Sequence, residues 1–227
     1  MLKVGALLSL LLLLVAALSL LWTPWPIHEI DLAAKLQAPS AAHWLGTDHL
    51  GRDVASLLMA GAQLSILVGV IAVGIGLIAG AALGLWAAAR GGWIDELLMR
   101  AADLGFAFPA ILTALLFTAV FGPGITNAII AIGLHNVPSF ARITRASARS
   151  VWAREFCLAA RACGKGRLAI TVQHVLPNIL PVLIVQATIQ FATAILAEAA
   201  LSYLGLGAQP PQPSWGRMLA EAQTFLF

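Results

Sequence analysis

The sequence predicts an all-α membrane protein, a polytopic helical bundle. Three observations carry that prediction: bulk apolarity, long charge-free stretches, and a one-sided distribution of Lys and Arg. Sixty per cent of the 227 residues are hydrophobic and only 10% are charged, and the mean hydropathy is +0.92. A soluble domain carries about 25% charged residues, so this chain lacks the polar surface to face water all round.

Four charge-free stretches define the spans. Residues 4–22 form the first, and nineteen residues at helical rise make about 28 Å, enough to cross a bilayer core. A secretory leader also begins with a Lys and an apolar run, but that run is shorter and ends at a small-residue cleavage site. Here the run ends in Trp22, Thr23, Pro24, Trp25 and Pro26, and aromatics suit a membrane interface. The stretch is read as an uncleaved anchor. Residues 54–89 form the second span. Residues 104–141 are too long for one crossing, and Gly122-Pro123-Gly124 near their middle reads as a turn that divides them into two. Pro109 falls early in the third span and is expected to kink it. Residues 168–197, continuing past Glu198 to about Gly207, form the last. Five spans result.

Charge fixes the orientation. With a cytoplasmic N-terminus, the inner segments hold Lys3, Arg90, Arg100, Arg142, Arg145, Arg149, Arg154, Arg161, Lys165 and Arg167. The outer segments hold Lys35, Arg52 and Arg217. Ten against three obeys the positive-inside rule, and the opposite topology inverts it. The basic pI of 9.3 is therefore a topology signal and calls for no nucleic-acid partner.

Several chemistries are excluded. Cys157 and Cys163 have no CxxC spacing and no companion His at zinc spacing; both fall in a cytoplasmic segment and read as small, semi-buried residues. Gly164-Lys165-Gly166 invites a phosphate-loop reading, which fails because Ala159 stands where the first Gly is needed and Gly166 where Ser or Thr is needed. No Ser-His-Asp order, H-E-x-x-H or G-x-S-x-G is present. No catalytic residue, cofactor or metal site is assigned, and any ATP hydrolysis must come from a partner.

Organisation follows from the spans. Residues 1–53 comprise the anchor helix and an external loop, and residues 54–227 the core. Before the second span, residues 43–53 read HWLGTDHLGRD, in which Thr47 or Asp48 can cap a short helix. The second span is rich in small residues and contains a G-x-x-x-G pair, Gly80 and Gly84, that allows close helix approach. Residues 94–103 read as a short amphipathic helix feeding the third span.

The informative segment is the cytoplasmic loop at residues 142–177. Phe156, Ala159, Ala160 and Cys163 recur at helical spacing among Arg154, Arg161 and Lys165. Gly164 stands where a helix ends in a left-handed residue. A second apolar run, 168–176, leads to Pro177, where a new helix can begin. The loop thus presents a short helix with an exposed ridge of small residues. Two readings remain open from physics alone: a docking element for a cytoplasmic protein, or an interfacial helix with its arginines on lipid phosphates.

The text of the loop resembles the "EAA" loop of ABC importer permeases, E-A-A-x3-G-x9-I-x-L-P. Ala159, Ala160, Gly164, Leu176 and Pro177 match it, while Leu158 replaces the Glu and His174 the Ile. Both departures resemble the dipeptide/oligopeptide/nickel branch, with Glu155, Phe156, Leu158, Ala159, Ala160, Arg161 and Gly164, then His174, Leu176, Pro177 and Asn178 in place. The external motif of Gly46, Thr47, Asp48, Gly51, Arg52 and Asp53 is similar to that branch's, as are the inner loop at 91–100 and the segment from Leu196 to Gly216. The likeness covers essentially the whole chain.

This resemblance implies a bacterial inner-membrane permease subunit of a binding-protein-dependent importer for di- or oligopeptides, with nickel and glutathione importers as alternatives within the branch. It implies a second homologous permease subunit, two ATPase subunits that grip the coupling loop, and a periplasmic or extracellular substrate-binding protein. The family continues into a sixth span, which this sequence is expected to lack, since it stops at Phe227 as residues 224–227 turn apolar. A different class, a membrane-embedded enzyme using His135 or Glu198, would need a second polar catalytic group at the same depth.

Glu198 lies within the fifth span, where an ionisable group suggests a pathway or a paired site; a carboxylate hydrogen-bonded to a neighbouring helix, or a protonated one, is the simpler reading. His135 can line the path or satisfy an interhelical bond. His43, His49, Asp48 and Asp53 are explained by a capped turn without a metal.

Overall fold

Apolar residues that must cover their own backbone amides in lipid have one economical solution, the helix, and helices dominate the computed structural model. It describes residues 2–225; Leu226 and Phe227, the end of the apolar run expected to lead towards a sixth span, lie outside them. The helices are α1 (Leu2–Ser19), α2 (Val54–Arg90), α3 (Gly92–Ala107), α4 (Ala110–Phe121), α5 (Ile125–Trp152), α6 (Glu155–Ala162), α7 (Arg167–Ile170), α8 (Leu176–Tyr203) and α9 (Trp215–Gln223). A π turn, Thr171–Val175, joins α7 to α8. Among the described residues no strand forms, and a lone antiparallel bridge links Thr47 to Asp53.

Among the described residues, length and apolar composition qualify two helices to cross a membrane: α2 and the continuous 37-residue run Arg167–Tyr203; the bent pair α3–α4 counts as a third when taken as one span. Of the five expected crossings, α1 is short of the usual length, and α5 is diluted by His135, Asn136, Ser139 and its arginines. Pro109 does more than kink the third span. Its ring forces Phe108 into an extended conformation (φ −96°, ψ 125°), so the helix stops and restarts with an 85° bend. The amphipathic α3 therefore extends to Ala107, past the expected end at residue 103.

The chain packs as two compact units. One comprises Met1–Val68, Phe117–Ala128 and Ile195–Phe227; the other comprises Gly69–Leu116 and Ile129–Ala194.

In the first unit, Trp215 at the start of α9 lies on Gly61 of α2, where a Cβ would sit 2.7 Å from the indole Cδ1. The Trp215 Nε1 donates to the Leu58 carbonyl at 3.0 Å. Only glycine at 61 leaves room for that ring. Ser214 caps α9, its hydroxyl accepting from the Arg217 amide at 3.2 Å.

In the second unit, α2 and α5 meet along a row of glycines. Cβ atoms on Gly76, Gly80 and Gly84 would fall 2.5, 2.5 and 2.7 Å from the Cβ atoms of Asn136, Phe140 and Thr144 respectively. The G-x-x-x-G expectation is borne out, and the four-residue repeat extends one turn further than Gly80–Gly84, to Gly76. Such approach maximises dispersion between backbones where no hydrophobic drive acts. Asp95 in the first turn of α3 ties that helix to the end of α5. Arg145 donates to its two oxygens at 2.8 and 2.6 Å, and Arg149 lies 3.5 Å away. Arg145 holds the Asp95 carboxyl below the usual carboxylate range, against a smaller opposing effect of burial.

Candidate functional site

The segment between α5 and α8 is not a loop in the ordinary sense. α5 continues unbroken to Trp152, so residues 142–152 extend the fourth span as a helix. Two residues later α6 begins, with Glu155 in its first turn near the positive end of the helix dipole. It stops where the sequence says it should: Gly164 has φ +80°. The Gly164 amide donates to Arg161 at 3.0 Å and the Lys165 amide to Ala160 at 3.1 Å, the paired bonds of a Schellman end. The helix restarts at Arg167, earlier than the Pro177 start expected from sequence. Pro177 falls in the first turn of α8, just after a π turn in which the Leu176 amide bonds Thr171. Proline's missing donor is absorbed without a break in the helix.

One residue seats α6. Cys157, 1% exposed, enters a cluster of Ala148, Val151, Ile170, Val175, Ile179 and Leu183, with Ala160 and Trp152 packed against it. Burial pushes the Cys157 thiol up, and Arg154 opposes this. Cys163 is exposed, so the two cysteines are not the matched semi-buried pair expected. The Arg161 guanidinium lies 5.8 Å from the Trp152 ring. Lys165 Nζ donates to Gln173 Oε1 at 3.0 Å and lies 3.3 Å from His174 Nε2, stapling the end of α6 to the π turn. The His174 ring stands 6.2 Å from Phe156.

The outward face is then defined. Glu155, Phe156, Leu158, Ala159, Arg161, Ala162 and Gly164 are exposed, and Ala160 is half-buried. A ridge of small residues is present, but it is flanked by large apolar groups, Phe156 at 40% and Leu158 at 54% exposure. Sequence reasoning named both positions and missed their exposure. Helical spacing gives a period but not a phase, and the phase is set by Cys157.

The external motif is a knot of turns. The Thr47 hydroxyl donates to the Ala34 carbonyl and accepts from the Gln37 amide at 2.8 Å. Asp48 Oδ1 accepts from the amides of Leu50 and Arg52 at 2.8 and 2.9 Å. Arg52 reaches Asp48 Oδ2 at 2.6 Å and Glu221 at 3.0 Å. Gly46 and Gly51 have φ of +76° and +77°; a Cβ on Gly51 would collide with the Asp31 carbonyl. Contrary to the expectation from sequence, neither Thr47 nor Asp48 caps a helix, because both side chains are committed to turns. Asp53 does: its Oδ2 accepts from the amide and hydroxyl of Ser56, both at 2.8 Å, while Oδ1 meets His43 at 3.0 Å. Asp48, His49 and Glu221 lie close together, but Arg52 already occupies the carboxylates.

Glu198 is fully buried. Its carboxylate accepts from the Ser202 hydroxyl at 2.7 Å and from Ser65 at 3.4 Å. His135 is half-buried on α5.

Residues 80–227 match the family of binding-protein-dependent transport system inner membrane components. The chain belongs to that family. It is 46% identical over 214 residues, 94% of this chain and 70% of the relative, to a dipeptide transport system permease protein of Alkalihalophilus pseudofirmus. Against a di/tripeptide transport system permease protein of Pseudomonas aeruginosa it is 41% identical, over 98% of this chain and 77% of the relative. Against a glutathione transport system permease protein of Escherichia coli it is 42% identical, over 96% and 73%. The fold is that of solved transporters. An inward-facing MetNI methionine ABC transporter aligns with TM-score 0.60 at 20% identity, covering 67% of this chain and 76% of that one. An amino acid ABC transporter aligns with TM-score 0.54 at 20% identity, covering 74% and 78%. The resemblance carried by the α6 segment and the external motif is thus borne out, and the chain is an ABC importer permease of the inner membrane.

Proposed function

We propose that this permease imports di- or oligopeptides, with energy from ATPase subunits that dock on α6. The observation that carries this reading is the seating of α6: a short, well-capped helix anchored by Cys157 and stapled by Lys165, with an apolar and small-residue face left outward at residues 156, 158, 159 and 162. A lipid-surface helix would gain from directing its large apolar groups and its arginines to one interface. Here Arg161 is drawn back towards Trp152 while Leu158 is left exposed, which favours a protein groove. The relatives' names favour peptides over nickel, and glutathione, itself a peptide, falls within the same reading. In the proposed assembly a second homologous permease completes the path, and two ATPases sit beneath. Five crossings with the N-terminus inside put α6 on their side, residues 1–53 supply an anchor and external motif, and residues 54–227 form the permease core. The motif around Asp48, Arg52 and Asp53 faces the binding protein, and Glu198 fixes that outer end of the core.

Ala159→Arg tests the docking. Ala159 is exposed, so the variant should reach the membrane at wild-type level, fail to retain the ATPase on purification, and lose uptake of a labelled dipeptide. Normal ATPase retention with normal uptake would sink the proposal. Ala160 is the wrong position for this test, because its side chain packs into the cradle.

A further inference from the structure

The relatives' names say what such permeases carry, but not where in the bundle a peptide is held. We propose that Gln186, Gln190 and Thr193 on α8, with Ser139 and His135 on α5, form an uncharged polar seam that hydrogen-bonds the peptide main chain in transit. This rests on the importer reading above and adds the residues that meet the substrate.

Gln186, Gln190 and Thr193 follow i, i+4, i+7 spacing and so share one face of α8. Ser139 follows His135 by one turn on α5. The two helices are joined where these faces meet, Gln186 Nε2 donating to Ser139 Oγ at 3.0 Å. Thr193 Oγ1 contacts Gln190 Oε1 at 3.0 Å, orienting that amide. The seam is not sealed: Gln186, Gln190, Ser139 and His135 are half-buried and Thr193 is exposed.

A lipid-facing surface has a different character, and α8 has one. Ile184 and Val185 are 56 and 60% exposed and can meet acyl chains at no cost. An amide turned to hydrocarbon forfeits hydrogen bonds at several kcal/mol each, so the glutamine face needs water or a polar occupant. The seam contains no Asp, Glu, Lys or Arg. A primary amide both donates and accepts, which matches the N–H and C=O groups of any peptide irrespective of its side chains. That is the chemistry a carrier of varied short peptides needs.

Single cysteines at 184, 185, 190 and 193 in a Cys163→Ser background test this, since native Cys157 is buried. The assembled complex is placed in inside-out vesicles, with and without a non-hydrolysable ATP analogue, and treated with a charged thiosulfonate. Gln190→Cys and Thr193→Cys should react in at least one state, and Ile184→Cys and Val185→Cys in neither. The dipeptide Ala-Ala should slow the reaction, and free alanine should not. Gln190→Leu should raise the transport KM about fivefold, as expected for one lost hydrogen bond, with normal ATPase retention. No reaction at 190 and 193 in either state would mean lipid or a partner helix covers the face and overturns the seam; so would reaction that Ala-Ala leaves unchanged. Either result leaves the ATPase-docking test untouched, so the two proposals fail separately.

Discussion

Replacing Asp95 by Asn should loosen the join between α3 and α5, and the structure sets the size of the effect. The carboxylate is bound at both oxygens by Arg145 and approached by Arg149. Asp95 is 9% exposed and Arg145 29%. Removing one member of a fully buried pair costs about 3–5 kcal/mol, and exposed pairs contribute about 0–1 kcal/mol. With one partner buried and the other partly hydrated, about 2 kcal/mol is expected, between those limits. For a chain of this size that corresponds to a melting shift of roughly 5 °C. Cys157 provides the assay: it is 1% exposed, so in a Cys163→Ser background a fluorogenic maleimide reports its release on heating. Arg145→Gln should cost a similar amount, and the double variant little more than either single one. The pH dependence has a definite sign. Because the folded Asp95 carboxyl is held below its unfolded value of about 3.9, the pair's contribution is fully present above that value and is lost only as pH falls through the folded one. The gap between wild type and Asp95→Asn should therefore stay constant from about pH 8 to pH 5. A shift under about 1 °C, or strict additivity in the double variant, would refute the clamp.

Two further outcomes follow. Gly84→Val should destabilise the bundle far more than Gly74→Val, because a Cβ at 84 meets Thr144 at 2.7 Å whereas nothing lies within 4 Å of one at 74; equal melting temperatures would contradict the close approach of α2 and α5. An impermeant maleimide should label exposed Cys163 in inside-out vesicles and leave it unlabelled in intact spheroplasts, and labelling from the outside would reverse the orientation.

Much of this architecture was legible because the bilayer simplifies the physics. Charge-free stretches had to be helices, Gly164 could end one, and the Gly80–Gly84 pair allowed close approach of another helix. Pro109 was visible as a disruption, but whether a proline kinks or severs a helix depends on the conformation its predecessor takes, and Phe108 went extended. The short helix expected to be capped by Thr47 or Asp48 did not form, for a related reason: both side chains close turns, and Asp53 binds the start of α2 instead. Thr47, Asp48 and Asp53 all have the right chemistry, and only the turns around Gly46 and Gly51 decide which side chain faces the helix start. Span counting was weakest at α5, where one of the polar residues that dilute its apolarity, Ser139, meets Gln186.

The α6 segment shows why a motif outruns the physics that explains it. Its apolar residues at 156, 159, 160 and 163 announce a helix, yet the residue that holds that helix in place is Cys157, outside the set. With Cys157 inward, Phe156 and Leu158 are carried outward on either side of it, and the small residues are left as the floor between them. Leu158 stands where the broad pattern has a carboxylate, so this branch presents an apolar group at a position where others present a charge. If the ATPase docks on α6 as proposed, its groove is expected to be less basic there, because an unpaired cation facing Leu158 would lose its water with nothing in return. On that proposal the departure at 158 is a matter of fit to the partner, and Leu158→Glu should weaken ATPase retention on purification while leaving the permease in the membrane.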